Sequence, residues 1–179
     1  MTDADRFEAF VRSYQDMVYA LAVRLLGSRA EAEDTAQTVF LRAYERFESI
    51  GDSPTAGGWL RTVTRNVCLN HLSRYRRRWR LFSELAGADD AGFRAETALV
   101  ANGTPVMDLE EAEQHEQLER ALRALPDHQR VPLVLHHFDG MSYAGIAAAL
   151  GVSLSKVKTD IHRGREALKH LVTSAHASR

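Results

Sequence analysis

GMSYAGIAAALGVSLSKVKTDIHRGREALKHL, residues 140–171, has the layout of a helix-turn-helix. Ser142 is placed to cap a short helix over 143–149. Ile146, Ala147 and Leu150 fall on its inner side, and the small Ala148 and Ala149 would let a second helix approach closely. Gly151 supplies the left-handed residue that a sharp turn needs. Ser153 then caps a longer helix over 154–172, with Val157, Ile161, Leu168 and Leu171 toward the core. Lys156, Lys158, Thr159, His162, Arg163 and Arg165 populate its outer faces. A recognition helix offers its N-terminal half to base edges in the major groove, where such residues donate hydrogen bonds. The bland reading, a helical hairpin with a solvated basic exterior, has to be weighed against this one.

Working outward, the whole chain reads as helix, because apolar residues recur at helical spacing almost throughout and there is little β-branched alternation. Phe7, Phe10, Val11, Tyr14, Met17, Val18, Leu21 and Leu25 mark one face of a first helix, stopped by Gly27. Ser28 and Glu31 form a capping box for a second, whose core face is Ala32, Ala36, Val39, Phe40, Ala43 and Phe47. Ser53-Pro54 opens a third, carrying Trp59, Leu60, Val63, Val67 and an arginine run. Residues 83–107, rich in Ala, Gly and acid, read as an extended linker. Asp108–Glu111 caps a further helix reaching about Ala124. A last segment runs from Pro126-Asp127 to Asp139-Gly140, with a slight kink expected at Pro132. The expectation is an all-α chain of two small helical domains, 1–82 and 108–175, joined by a flexible acidic linker, 83–107.

The 179 residues carry a net charge of only −1, but that charge is segregated. Residues 59–80 sum to +7 and 152–179 to +4, while 81–119 sum to −9. Two basic segments on an acidic chain suggest two surfaces that face a polyanion. The first, around RNVCLNHLSRYRRRWR (65–80), mixes arginines with Trp59, Tyr75 and Trp79 and with Asn66, Asn70 and His71. Aromatics beside cations suit unstacked single strands, since every base has a face to stack. Core packing is the simpler reading of Trp59. No apolar run approaches the roughly 18 residues of a membrane helix, and the N-terminus lacks the apolar stretch of a secretory signal. A single cysteine, Cys68, excludes an internal disulfide and fits a reducing cytoplasm.

Taken in order, these segments resemble a bacterial RNA polymerase sigma factor of the extracytoplasmic-function group. AEDTAQTVFLRAYERF is similar to that family's polymerase-binding helix, AGGWLRTVTRNVCLNHLSRYRRR to the segment that melts and reads the −10 promoter element, and LRALPDHQRVPLVLHHFDGMSYAGIAAALGVSLSKVKTDIHRGREAL to the part that reads the −35 element. The resemblance implies that Asp34, Gln37 and Phe40 meet the clamp helices of the large polymerase subunit. It implies that Asn66, Asn70, His71 and Arg74 contact the opened non-template strand and that Arg77 and Arg78 hold its backbone. Lys158, Thr159, His162 and Arg163 fall at the −35 reading positions, with Lys156 and Arg165 on phosphate. It further implies promoter DNA, core RNA polymerase including its flap, and an anti-sigma factor as partners. Cofactors, metals, membrane insertion and catalytic residues are not expected. Three positions depart from the pattern: Gly145 where Glu is common, Asp160, which near phosphate would repel, and Gly164 in place of Ala.

Two rivals stand beside this reading. One is a free-standing helix-turn-helix regulator that never touches polymerase. The other is an enzyme, and it is weak. His136 and His137 are helix neighbours that point about 100° apart, the remaining histidines form no metal-ligand spacing, and neither a phosphate loop nor a nucleophile motif occurs.

Overall fold

The computed structural model describes residues 2–86 and 109–177; the side chains of 74–86, 109 and 175–177 lie outside that description. Among the described residues are eight helices: α1 (Asp3–Leu26), α2 (Arg29–Glu45), α3 (Phe47–Ile50), α4 (Ala56–Ala86), α5 (Leu109–Ala124), α6 (Asp127–His137), α7 (Tyr143–Leu150) and α8 (Leu154–Ala177).

The punctuation is chemical. Gly27 ends α1 at φ +70°, and its N–H donates back to the Val23 carbonyl. Ser28 opens α2 by accepting from the Glu31 N–H. The second helix stops earlier than its apolar pattern suggests: Arg46 leaves helical geometry, and Phe47 begins the short α3 instead of ending α2. Helix α4 begins at Ala56, two residues later than Pro54, because Ser53 instead forms a turn whose carbonyl accepts from the Ala56 N–H. It continues to Ala86, so the first residues of the expected linker are helical. The rest of that linker, 87–107, and the Asp108 cap lie outside the described residues. Ser142 and Ser153 cap α7 and α8 as expected, and Gly151 turns between them at φ +66°. Helix α8 runs past 172 to Ala177.

Phe10, Val18, Val39, Ala43, Ala56 and Leu60 form one core, between α1, α2 and α4. Rings fill its edge: Phe7 and Phe10 meet Phe47 edge-on at 5.1 and 5.5 Å. Such pairs add about 0.5–1.5 kcal/mol each beyond the area they bury. Trp59 packs against this core, so the simpler reading of it holds.

A second, larger core joins the two halves of the chain. Leu21, Ala22, Val23, Leu25 and Leu26 of α1, with Cys68 and Leu72 of α4, share it with Leu122, Val131, Leu133, Val134, Leu135, Ile146, Val157 and Ile161. The C-terminal half of α1 is therefore buried nearly all round, as a helix apolar on every side must be.

Arg130 from α6 fastens this contact. Its guanidinium donates to Asp127 (2.5 Å), to the Leu125 carbonyl (2.8 Å) and, at 3.4 Å, to the Leu25 carbonyl at the end of α1. A cation at a helix C-terminus opposes the negative end of the macrodipole. Gly27 leaves the room, since a Cβ there would lie 2.8 Å from the Arg130 Cζ.

Two details of the helix-turn-helix differ from expectation. Ala148 and Ala149 are exposed, and α7 contributes Ile146, Ala147 and Leu150 to the shared core instead. The close helix approach is at Gly164, where a Cβ would sit 3.2 Å from the Gln129 carbonyl oxygen of α6. Leu171, expected in the core, is 39% exposed.

Candidate nucleic-acid interface

Three surfaces carry the residues singled out from sequence. The first is α8. At about 100° per residue, Val157, Ile161 and Gly164 share the core side, and all are buried. Thr159 and His162 lie opposite, with Lys158 and Arg163 on either side of them, and all four are exposed. Thr159 returns its hydroxyl proton to the Ser155 carbonyl. Lys156 and Arg165 stand at the two flanks, exposed but already partnered. Lys156 Nζ meets Asp160 Oδ2 at 2.7 Å, and the Asp160 side chain is 8% exposed. Asp160 is thus paired with a lysine of its own helix. It lies at the border of the core and neutralises the neighbouring lysine.

Arg165 donates through Nε and a terminal nitrogen to His137 Nε2, at 3.1 and 2.9 Å. That geometry requires a neutral ring with the proton on Nδ1. Partial burial, then Arg165, then His136 hold His137 below its ordinary pKa.

The second surface is α4. Asn66 and Asn70 lie one turn apart and both are exposed. His71 is also exposed, with Nε2 3.4 Å from Glu31 Oε1 of α2. Arg74, Arg77 and Arg78 continue the same helix, but their side chains, like those of Tyr75 and Trp79, lie outside the described residues. Two further arginines of α4, Arg61 and Arg65, reach toward the other half of the chain.

The third surface is α2. Asp34 and Gln37 are exposed on its outer side. Phe40 is half-buried and packs against the first core. Sequence reasoning missed Leu41 and Tyr44, which are 67% and 63% exposed. The signal was present: both lie off the Val39–Ala43 stripe, and Asp34, Gln37, Leu41 and Tyr44 follow helical spacing. Large apolar groups kept in water on one face mark a docking surface.

Among the described residues, no group of three His, Cys, Asp or Glu side chains is placed to hold a metal. No described helix is long and apolar enough to cross a membrane.

Comparison with known proteins adds to this geometry. A family model described as Sigma-70 region 2 matches residues 10–78, and one described as Sigma-70, region 4 matches residues 115–168. The ECF RNA polymerase sigma factor SigW of Bacillus subtilis is 33% identical over 93% of this chain and 89% of its own length. The ECF RNA polymerase sigma-E factor of Escherichia coli K12 is 28% identical over 95% and 88%. Among solved structures, the sigma factor RpoE in complex with the anti-sigma factor NepR from Bartonella quintana aligns over 93% of this chain and 96% of its own, with a TM-score of 0.55 and 24% identity. That likeness concerns the fold.

Proposed function

The chain belongs to the sigma-70 family, in its extracytoplasmic-function group, and from that premise we propose how its three surfaces divide the work. It is a polymerase-binding sigma factor that directs promoter-specific initiation. The free-standing regulator is not favoured, because the N-terminal half matches a sigma region of its own.

Residues 1–82 act as region 2 and 108–175 as region 4. The α2 face of Asp34, Gln37, Leu41 and Tyr44 grips the clamp helices of the polymerase, and the flap holds region 4. Thr159, His162, Lys158 and Arg163 read the −35 duplex from the centre of α8. Lys156 and Arg165 approach phosphate at its flanks, Arg165 steered by His137 and Lys156 damped by Asp160. Asn66, Asn70 and His71 capture bases of the opened −10 strand, with Arg74, Arg77 and Arg78 beside them on its backbone.

No covalent chemistry is needed. Opening a base pair costs a few kcal/mol, and a surface that stacks or hydrogen-bonds the displaced base returns that energy only at sequences that fit. Arginine contacts to phosphate supply affinity without sequence information. The site of action is the cytoplasm, where polymerase works, and an anti-sigma factor is the expected regulator.

The observation that carries this reading is the match of two sigma regions, in order, on one chain whose α8 and α2 faces are both exposed. Permanganate footprinting of holoenzyme on its promoter tests the strand-capture step. Asn70→Ala should reduce thymine reactivity in the −10 element several-fold while leaving closed-complex binding nearly intact. Normal melting would remove Asn70 from that role.

A further inference from the structure

Two basic side chains from different helices meet on one flank of α8. Arg165 donates through Nε and a terminal nitrogen to His137 Nε2 of α6, at 3.1 and 2.9 Å. Both residues are exposed. The His137 ring stands edge-on to His136, with centroids 4.9 Å apart. His136 in turn lies 4.6 Å from the Tyr143 ring of α7, and its Nδ1 donates to the Met141 carbonyl at 2.8 Å. The charged groups acting on His137 are Arg165 from α8 and His136 beside it, and both oppose a proton on its ring. No ion pair among the described residues includes Arg165 or His137.

The contact depends on the ring being neutral. A neutral imidazole offers one lone pair, and a guanidinium only donates. Two donors therefore share one weak acceptor, and a proton on Nε2 would set two cations at hydrogen-bond distance. A phosphate oxygen changes that balance. It accepts charge-assisted bonds that a neutral ring cannot match, and a nearby anion favours the imidazolium. His137 also lies in the last turn of α6, where the negative end of the macrodipole favours a cation. At about 100° per residue, Arg165 falls within about 60° of the exposed Lys158 and His162. A duplex on that face brings phosphate to this corner.

We propose that His137 is a second phosphate ligand beside Arg165 at the −35 duplex, neutral in the free chain and protonated in the complex, so that promoter binding takes up a proton. The inference rests on the sigma-factor reading. It adds a DNA contact from α6, outside the recognition helix, and a pH dependence.

The test uses full-length chain with core polymerase and a promoter fragment selected by run-off transcription. Affinity and salt slope are read at pH 8 and pH 6 as variant against wild type, so that titrations of the polymerase cancel. A complex that holds a proton the free chain lacks binds more tightly as pH falls through the interval between the two states. Free His137 titrates below its ordinary value, so the gain belongs on the acid side of pH 8. His137→Gln keeps an acceptor for Arg165 but takes no proton. Its affinity relative to wild type should fall about three- to tenfold from pH 8 to pH 6, and its salt slope should not steepen, whereas the wild-type slope should steepen by about one. His137→Lys, a fixed cation, should show at pH 8 the slope that wild type reaches at pH 6. His136→Gln and His162→Gln remove the neighbouring histidines, and their affinities relative to wild type should hold steady between the two pH values.

A relative affinity of His137→Gln that does not change with pH would overturn the proposal. So would one that changes with pH in His136→Gln or His162→Gln instead. An effect confined to assembly with polymerase would also overturn it, by putting a protein carboxylate in the place of phosphate. Wild-type chain that initiates on no template would sink the sigma-factor reading itself, a result distinct from all of these.

Discussion

Arg163 stands beside His162 on the outer face of α8, away from every core residue of that helix. If it reads a base, Arg163→Ala costs about 1–3 kcal/mol and relaxes preference at one −35 position. Binding measured across a set of single-base promoter variants checks this, and an equal loss on all of them demotes Arg163 to a phosphate contact. Cys68 makes a prediction of another kind. Burial pushes its thiol up to about 12, whereas the unfolded thiol ionises near 8.5. Between those values the unfolded state binds fewer protons, so stability falls as pH rises through the interval. The unfolding free energy from urea titrations should fall between pH 7 and pH 10 by about 2 kcal/mol more for wild type than for Cys68→Ala. Equal drops would show that the thiol ionises in the folded chain. That Lys158, Thr159, His162 and Arg163 face outward was legible because helix periodicity fixes which side of α8 is exposed. The Lys156–Asp160 pair, at i,i+4 spacing, was open to the same reading, whereas the partner of Arg165 was not, because His137 comes from a different helix.

At the scale of the element, glycines set the limits. Gly27→Ala meets both a positive φ and the Arg130 guanidinium, and should destabilise by about 2 kcal/mol or more. Gly145→Glu should do the opposite. It replaces a first-turn glycine and restores a partner to the Ser142 cap, and its Cβ meets the Ser142 hydroxyl at 3.1 Å and the flexible Met141 Cε at 3.6 Å. About 1 kcal/mol of added stability, or roughly 2–4 °C in Tm, is the expected outcome in a melting experiment. On α2, Leu41→Asp should abolish co-purification with core polymerase while leaving the helix content of the free chain intact, because the side chain is exposed. Phe40→Asp does not make the same test, since Phe40 also supports the first core. Caps and turns were readable because they are local chemistry: Ser28, Ser142, Ser153, Gly27 and Gly151 all act within a few residues. The break between α2 and α3 was not, since Phe47 fits the apolar stripe of α2 and is drawn instead to the rings of Phe7 and Phe10.

At the scale of the whole molecule, the two halves share a core that periodicity alone does not reveal. Leu21 and Leu25 were placed on one face of α1, while Ala22, Val23 and Leu26 were left without a partner. A second apolar face on a helix is a request for a second neighbour, and that neighbour is α5 and α6, about a hundred residues later. Long-range pairings such as Arg24–Glu119 and Arg65–Asp139 depend on which surfaces meet, and no local pattern encodes that. What the chain does was legible at this scale through the order of its segments, an N-terminal helix pair, a basic helix and a helix-turn-helix, each resembling a sigma-factor segment. The most direct measurement is run-off transcription by core RNA polymerase on a promoter library, with and without the purified chain. The account predicts transcripts that start at discrete sites sharing a −35 and a −10 sequence, only when the chain is present. Initiation no better than by polymerase alone, on every template, would contradict it.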